Sequence, residues 1–221
     1  MEKMTKIRAL EIHDRLLRMY PQRRCALEYM TPFQLLVAAR LSAQCTDVRV
    51  NEVTKTLFWV YPTEHELAKA EAPEVEKLIF SCGLYKTKAR DIIAEAKAVE
   101  TLGRIPDTME GMLQLPGVGR KIANLLLGEI YGTPGVIIVD THCIRLSNRM
   151  GFCDEKDPKK IENILRGLIP PETSLDFCHA IVWHGREVCR AQNPGCDRCA
   201  LNDICGKNKL QDRKDSKNEI Q

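Results

Sequence analysis

The segment Leu115-Pro116-Gly117-Val118-Gly119-Arg120-Lys121 joins two predicted helices. Pro116 stops the first helix, and Gly117 and Gly119 permit the positive φ values of a tight reversal. The next helix then presents the N–H groups of its first turn, which together with the helix dipole form a natural phosphate site. Two interpretations stay open. The segment is either a helix-hairpin-helix that holds a DNA phosphate without reading sequence, or a plain corner between two helices.

Two charged residues near this turn have side chains suited to chemistry. Lys121 lies in the first turn of the following helix, where the helix dipole makes a cation unusual. Its amine can attack a sugar carbon and form a Schiff base, although a solvated lysine is the ordinary alternative. Asp140 follows the apolar run 136–139 and is predicted to be the N-cap of the next helix. Capping is one role for its carboxylate; stabilising a developing positive charge or accepting a proton from an amine is the other.

Four of the ten cysteines lie together near the C-terminus, in the pattern Cys189-x6-Cys196-x2-Cys199-x5-Cys205. Without a sign of export, clustered thiols more often bind metal than form disulfides. A structural zinc site usually has two close ligand pairs, whereas this pattern has one close pair and two single ligands. Four thiolates also suit a cubane iron–sulfur cluster, so the spacing favours a cluster over zinc only modestly, with a disulfide pair third. The remaining cysteines are predicted to be small buried hydrophobic residues: Cys25, Cys45, Cys82, Cys143, Cys153 and Cys178.

The 221 residues suffice for one large domain or two small ones, and 44% hydrophobic with 29% charged residues is typical of a soluble globular chain. No apolar run reaches the roughly 20 residues of a membrane span, and the N-terminus lacks the apolar core of a signal peptide. We therefore expect a cytoplasmic protein without a membrane partner. A formal charge of +3 permits a nucleic-acid partner but does not argue for one. Aromatic residues, at 5%, are too few to favour a single-strand stacking platform.

The spacing of apolar residues predicts an almost entirely helical chain. Helices are predicted over residues 5–20, 33–45, 48–61, 71–80, 86–102, 108–113, 120–130, 141–151, 157–168 and 173–187. The run 136–139 is predicted to be a buried extended connector because it has no partner strand. Trp59 and Trp183 are predicted to lie in the core, and His142 and His184 to be packed histidines rather than catalytic groups. The polar segment 208–221 is predicted to be a flexible tail.

Together these motifs resemble those of the endonuclease III family of base-excision DNA glycosylases. The resemblance rests on the hairpin with its lysine, on Val139-Asp140-Thr141-His142 and on the four-cysteine pattern. Two upstream segments, 41–47 (LSAQCTD) and 83–89 (GLYKTKA), are also similar to that family. The similarity runs from about residue 7 to residue 207. A glycine hairpin alone is shared by many DNA-binding proteins, but the hairpin, lysine, aspartate and cysteines in this order are far more specific.

The resemblance implies an all-α, two-lobed helix-hairpin-helix DNA glycosylase fold. Residues 23–134 would form a helical-barrel domain with the hairpin, and residues 1–22 and 135–207 a discontinuous iron–sulfur cluster domain. The implied activity is that of a base-excision-repair N-glycosylase with AP lyase activity on oxidised or ring-saturated pyrimidines. A lysine Schiff base would lead to cleavage 3′ to the abasic site by β-elimination. The implied partner is double-stranded DNA with damaged bases or abasic sites. The enzyme is expected to be a monomer, associated with the nucleoid if the source is bacterial or archaeal.

Individual roles follow from the resemblance position by position. It makes Lys121 the nucleophile and Asp140 its partner carboxylate. It makes the clustered cysteines the ligands of a [4Fe-4S] cluster: Cys189, Cys196, Cys199 and Cys205. Gln44 and Leu84 match positions that probe the duplex where the damaged base has left, since an amide can satisfy the orphaned base and an apolar side chain can hold the stack open. The expected contacts to the DNA backbone come from the hairpin: Gly117, Val118, Gly119 and Arg120.

The sequence departs from the family in the loop between the first two clustered cysteines, which tends to be basic. Here that loop has one basic side chain, Arg190, so phosphate contacts are expected to rest more on Arg186, Arg190 and the hairpin. Ile122 stands where a small polar residue is commoner, and one extra residue lies between Ile130 and Asp140; either could reshape the entrance to the pocket. Lys121 argues against the first alternative, a monofunctional mismatch glycosylase of the same superfamily. The others are a non-catalytic helix-hairpin-helix DNA-binding module and a zinc-stabilised helical scaffold.

Overall fold

The computed structural model describes residues 4–206, and every regular element in that range is helical. The α-helices are α1 (Lys6–Met19), α2 (Pro32–Leu41), α3 (Asp47–Val60), α4 (Glu64–Ala68), α5 (Ala72–Ile79), α6 (Tyr85–Leu102), α7 (Met109–Met112), α8 (Arg120–Tyr131), α9 (Thr141–Met150), α10 (Pro158–Leu168) and α11 (Ser174–Glu187). Short 3-10 turns span Phe80–Cys82, Pro171–Thr173 and Cys196–Arg198. The predicted all-α class is confirmed. The predicted tail, 208–221, lies outside the described residues.

Most helices begin where a side chain caps their first turn, as their sequences predict. Thr31 Oγ1 accepts a hydrogen bond from Gln34 N at 3.2 Å at the start of α2. Asp140 Oδ1 accepts one from Cys143 N at 2.7 Å at the start of α9, which confirms the predicted N-cap. In contrast, α8 begins at Arg120, and its N-cap residue, Gly119, provides no side-chain cap. The N–H groups in the first turn of α8 therefore have no N-cap side chain to accept their hydrogen bonds.

One predicted helix limit was wrong, and one helix was not predicted. Helix α2 ends at Leu41 rather than near Cys45, because Gln44 takes the left-handed conformation, with φ of 54°, that an α-helix cannot include. Helix α4 was not predicted, although the capping box at its start can be recognised in the sequence. Thr63 caps the helix, and the Glu66 carboxylate accepts from Thr63 N at 3.0 Å.

The predicted burial of Trp59 was wrong, since this side chain is 86% exposed. The buried stripe of α3 consists of Val50, Val53, Thr54 and Leu57. Trp59 falls two residues after Leu57, which turns it off that stripe. Trp183 is half-buried. Four of the six scattered cysteines are buried as predicted, namely Cys82, Cys143, Cys153 and Cys178, whereas Cys25 and Cys45 are half-buried.

Contacts divide the chain into two compact units. One unit comprises Cys25–Thr133 and contains α2 to α8. Within it, α6 packs against α2, α4 and α5, and α2 also packs against α8. The other unit joins the residues up to Arg24 with those from Pro134 onward. There α11 packs against α1 and α9, and the connector 136–139 is buried without forming a strand. No helix among the described residues is long and apolar enough to cross a membrane.

The turn before α8 lies against an ion pair between α2 and α6. Arg40 Nε donates to Asp91 Oδ2 at 2.9 Å. Gly117 has φ of +71°, and a Cβ atom there would lie 2.8 Å from Arg40 Nε and 3.4 Å from Asp91 Cβ. Val118 is buried beside it and its N–H donates to Leu115 O at 3.2 Å. Positive φ and close packing thus both require glycine at position 117.

We expect Gly117→Ala to lower the free energy of unfolding by about 1–3 kcal/mol, because the new Cβ is strained and presses on Arg40. Gly119→Ala is the matched control. Its φ is −99° and no atom lies within 4 Å of a Cβ there, so its effect should stay within about 1 kcal/mol. Urea unfolding of the DNA-free protein, followed by circular dichroism, measures both. Equal losses in the two variants would contradict this packing.

Candidate functional site

Lys121 is the second residue of α8 and its side chain is exposed. The helix buries the residues that follow it, including Ala123 and Leu126, so the backbone that carries the lysine is fixed by the core. Cys25 lies near the lysine. Burial raises the pKa of the Cys25 thiol to about 12, with the Lys121 charge acting weakly in the opposite direction. Cys25 is therefore a neutral thiol at physiological pH.

Asp140 is half-buried at the start of α9, directly after the buried connector. The connector is held in its own unit by Ile138 N, which donates to Cys178 Sγ at 3.2 Å. One carboxylate oxygen of Asp140 caps Cys143 N, and the described residues provide no hydrogen-bond donor for the other. The geometry thus fixes the backbone of Asp140 and leaves one oxygen for a group outside the protein.

Gln44 and Leu84 share an unusual backbone conformation in the unit Cys25–Thr133. Both are exposed and both are left-handed, with φ of 54° and 47°. Non-glycine residues in this region cost about 1 kcal/mol or more and occur often at functional sites. Leu84 is 58% exposed, which is unusual for a leucine preceded by a glycine turn. The rings of Phe80 and Tyr85 lie near it in sequence and pack with centroids 4.8 Å apart.

The four clustered cysteines line one small cavity of about 20 Å³ in the other unit. Cys189 follows α11, Cys196 and Cys199 bracket a 3-10 turn, and Cys205 comes last. Each of the four is half-buried. Within residues 4–206, no three or more His, Cys, Asp or Glu side chains are placed so as to hold a metal ion. The four thiols nevertheless share a single cavity.

Two arginines of α9 hold the loop after Cys189. Arg145 Nη2 donates to Gly185 O at 3.0 Å and to Cys189 O at 3.2 Å. Arg149 donates to Arg190 O at 2.6 Å and to Ala191 O at 2.8 Å. Arg149 Nη1 also lies 3.6 Å from Cys189 Sγ. The sequence analysis missed these roles, although the spacing of four residues places both arginines on one face of α9.

Helix α1 holds the end of the cysteine segment through two more arginines. Arg8 donates to Ile204 O at 2.8 and 3.0 Å and to Met150 O at 3.0 Å. Arg15 Nη1 donates to Ala200 O at 3.0 Å and pairs with Asp203 at 2.7 Å. The N-terminal helix thereby belongs structurally to the segment that carries the cysteines.

The predicted role of His184 as a packed histidine is confirmed. Its Nδ1 lies 3.1 Å from Tyr20 Oη and its Nε2 lies 3.6 Å from Cys199 Sγ. Burial lowers its pKa to about 4, so the ring is neutral at physiological pH. His142 is half-buried, with Nδ1 at 3.1 Å from Arg145 Nη2.

The remaining predicted contacts to DNA divide between the two units. Gly117 and Gly119 are exposed, and Arg120 is half-buried, all within the unit Cys25–Thr133. Arg186 and Arg190 are exposed in the other unit, and their contacts to phosphate stay a prediction.

Comparisons with protein families and with individual known proteins identify relatives of this chain. The model of the HhH-GPD superfamily of base excision DNA repair proteins matches residues 37–171. Endonuclease III of Synechocystis sp. is 45% identical over 90% of this chain and 92% of that protein. Endonuclease III of Escherichia coli is 37% identical over 91% of this chain and 96% of that protein.

Solved structures of DNA glycosylases are also similar to this chain. The structure of a trapped endonuclease III–DNA covalent intermediate, an estranged-adenine complex, is 38% identical, with a TM-score of 0.89. The alignment covers 94% of this chain and 99% of that one. A thermostable thymine-DNA glycosylase, 20% identical with a TM-score of 0.81, shares the fold. The chain therefore belongs to the endonuclease III family, the DNA glycosylase/AP lyases of the HhH-GPD superfamily of base-excision repair proteins.

Proposed function

We propose that Lys121 is the nucleophile with which this DNA glycosylase/AP lyase removes a damaged base and cleaves the strand. The observation that carries the proposal is the place of this exposed lysine in the first turn of α8, directly after a hairpin whose helix start has no side-chain cap. The similarity to a covalent endonuclease III–DNA intermediate supports a nucleophile of this kind. The substrate would be double-stranded DNA with an oxidised or ring-saturated pyrimidine.

The hairpin would hold the DNA backbone. The N–H groups at the start of α8 and the positive end of its dipole attract a phosphate, and the small side chains of Gly117 and Gly119 let the strand come close. The side chain of Arg120 and the backbone of Val118 would add contacts. Because Lys121 follows directly, a strand held there brings a sugar within reach of the amine.

The damaged nucleotide must leave the base stack before its sugar can be attacked. Unstacking costs a few kcal/mol, and less for a damaged, non-planar base. We assign Leu84 to the gap in the stack and Gln44 to the orphaned partner base. Exposure of both side chains on left-handed backbone supports these roles.

The covalent steps would follow from attack by the neutral amine of Lys121 on C1′. The bond between C1′ and the base breaks, and the base leaves with the electron pair and takes up a proton. Loss of the amine proton and opening of the sugar give an iminium between Nζ and C1′. The iminium acidifies the C2′ proton; its removal breaks the C3′–O bond, and the strand is cleaved 3′ to the lesion. Asp140 would accept the lysine proton or stabilise the cationic sugar.

The four cysteines would hold a [4Fe-4S] cluster. Two observations support the fit: the thiols share one cavity, and the Arg149 guanidinium lies 3.6 Å from Cys189 Sγ, where it complements thiolate charge. When bound, the cluster supplies a covalent cross-link within the segment 189–205 and no bond chemistry. We accordingly assign the unit Cys25–Thr133 to the helical-barrel domain and the other unit to the cluster domain, in a monomeric enzyme.

Replacement of Lys121 by alanine is expected to abolish the covalent adduct that borohydride traps on a duplex with one thymine glycol. Base excision should fall by at least about a thousandfold, because no other group replaces the amine. Lys159→Ala is the matched control, since Lys159 is also the exposed second residue of a helix, α10. An adduct with Lys121→Ala would exclude this lysine as the nucleophile. Tight duplex binding without an adduct in the native protein would favour the monofunctional glycosylase or the binding module.

Asp140→Asn should reduce single-turnover excision by about a hundredfold or more, while asparagine keeps the N-cap and leaves stability within about 1 kcal/mol. The matched control is Asp157→Asn, because Asp157 caps α10 through Lys160 N at 3.0 Å. Rapid-quench kinetics and urea unfolding separate the two effects. Native excision rates in Asp140→Asn would limit this residue to capping.

Protein purified without oxygen should be brown and hold about four iron atoms per chain. Cys199→Ser should lose most of this iron, whereas Cys153→Ala, a buried cysteine of the same unit, should retain it. Metal analysis and visible absorbance measure the result. A colourless protein with bound zinc would contradict the cluster.

A further inference from the structure

Lys88 of α6 is completely buried, with 0% of its surface exposed. Its Nζ donates to Leu41 O and to Cys82 O, each at 2.8 Å. No carboxylate among the described residues pairs with this ammonium. A buried cation without an acidic partner is costly, so its two carbonyl acceptors carry the interaction.

Both carbonyls belong to the C-terminal ends of helical segments. Leu41 is the last residue of α2, and Cys82 is the last residue of the 3-10 turn Phe80–Cys82. Such ends carry unsatisfied carbonyl groups and partial negative charge, which a cation complements. Burial lowers the pKa of Lys88 from its ordinary value, and the nearby thiols of Cys82 and Cys45 oppose that shift. One ammonium thus joins two helix ends that are far apart in sequence.

Each of these helix ends is followed within three residues by an exposed, left-handed residue. Gln44 follows Leu41 in the turn after α2, and Leu84 follows Cys82 at the start of α6. Leu84 is the N-cap of α6, and its carbonyl accepts the first regular backbone hydrogen bond of that helix, from Lys88 N at 3.0 Å. A left-handed conformation costs about 1–2 kcal/mol per residue, so the surrounding contacts must hold both turns.

We propose that Lys88 is a positioning residue whose ammonium fixes the Gln44 and Leu84 turns relative to each other, so that both side chains enter the duplex together. The inference rests on the proposed roles of those two side chains. Lysine suits this task because its ammonium is compact and has three donors that can reach separate carbonyls. The roles proposed for Leu84 and Gln44 concern the same lesion, so the distance between these two side chains must be held.

A purely structural role would have a different signature. If Lys88 only satisfied two buried carbonyls, its loss would weaken the whole unit and reduce every activity alike. If it positions the two turns, its loss should affect only steps that need Gln44 and Leu84. Attack on an abasic sugar in single-stranded DNA needs neither, since there is no opposite base and no stack to hold open.

The first test is hydrogen exchange of the DNA-free protein with Lys88→Met, which keeps the length of the side chain but removes its donors. Amides in residues 42–45 and 82–85 should exchange about tenfold faster, while those of the hairpin keep native rates. Lys97→Met, on the exposed face of the same helix, is the matched control and should leave both turns unchanged. Native exchange in both turns of Lys88→Met would overturn the proposal.

The second test is a mutant cycle with Gln44→Ala/Leu84→Ala, measured by single-turnover excision of thymine glycol from duplex DNA. Lys88→Met should slow the native protein by about tenfold, but should slow the Gln44→Ala/Leu84→Ala protein by less than about twofold. Cleavage of a single-stranded abasic substrate and its borohydride adduct should stay within about twofold of native. If Lys88→Met does not fold, Lys88→Gln, which keeps an N–H donor, takes its place in the same scheme.

Three results of the cycle would overturn the proposal. The first is an equal loss on duplex and single-stranded substrates. The second is an undiminished further loss in the Gln44→Ala/Leu84→Ala background. The third is native excision by Gln44→Ala/Leu84→Ala itself. Failure of the proposed function is distinguishable, because the native protein would then give no adduct on either substrate while the exchange result would still stand.

Discussion

The unsatisfied polar groups at helix ends are the constraint on which the arrangement of this protein depends. Side chains cap the start of most of its helices, but the start of α8 has no such cap. The turn before α8 packs against the ion pair of Arg40 and Asp91, and its residue Gly117 cannot be replaced without strain. The core thus specifies the direction of these N–H groups, and DNA can supply the missing acceptor. Lys121 gains its proposed role from its place on this helix end.

Basic side chains bind carbonyl groups at the C-terminal ends of two helical segments and in the cysteine segment. Lys88 binds two C-terminal carbonyls in one unit, and arginines of α1 and α9 bind carbonyls of the cysteine segment in the other. In each case a long basic side chain fixes a loop with no regular hydrogen bonding of its own. The formal charge of +3 results from 33 basic and 30 acidic residues. Several of its cations are used internally.

Local signals made the helices predictable, while residues that act across the sequence could not be inferred from it. Asp140 was recognised as a cap because capping depends on neighbours three residues away. Lys88 instead contacts Leu41, and only the packing of α6 against α2 brings them together. The wrong prediction for Trp59 has a different cause. The spacing of the buried residues in α3 can be read from the sequence, and it places Trp59 outside the core. The left-handed conformation of Gln44 has no sequence signal of its own, because glutamine rarely adopts it.

The cysteine segment shows why the chain crosses between its two units and returns. Four thiols near the C-terminus can enclose a cavity only if their loops are held, and the segment 189–205 has little regular structure of its own. Arg149 holds its first part and Arg8 and Arg15 its last, so the N-terminal helix must belong to the same unit. Because α1 precedes the unit Cys25–Thr133 in sequence, this unit is an insertion into the other. The packing of α1 against α11 also holds the two parts of this discontinuous unit together.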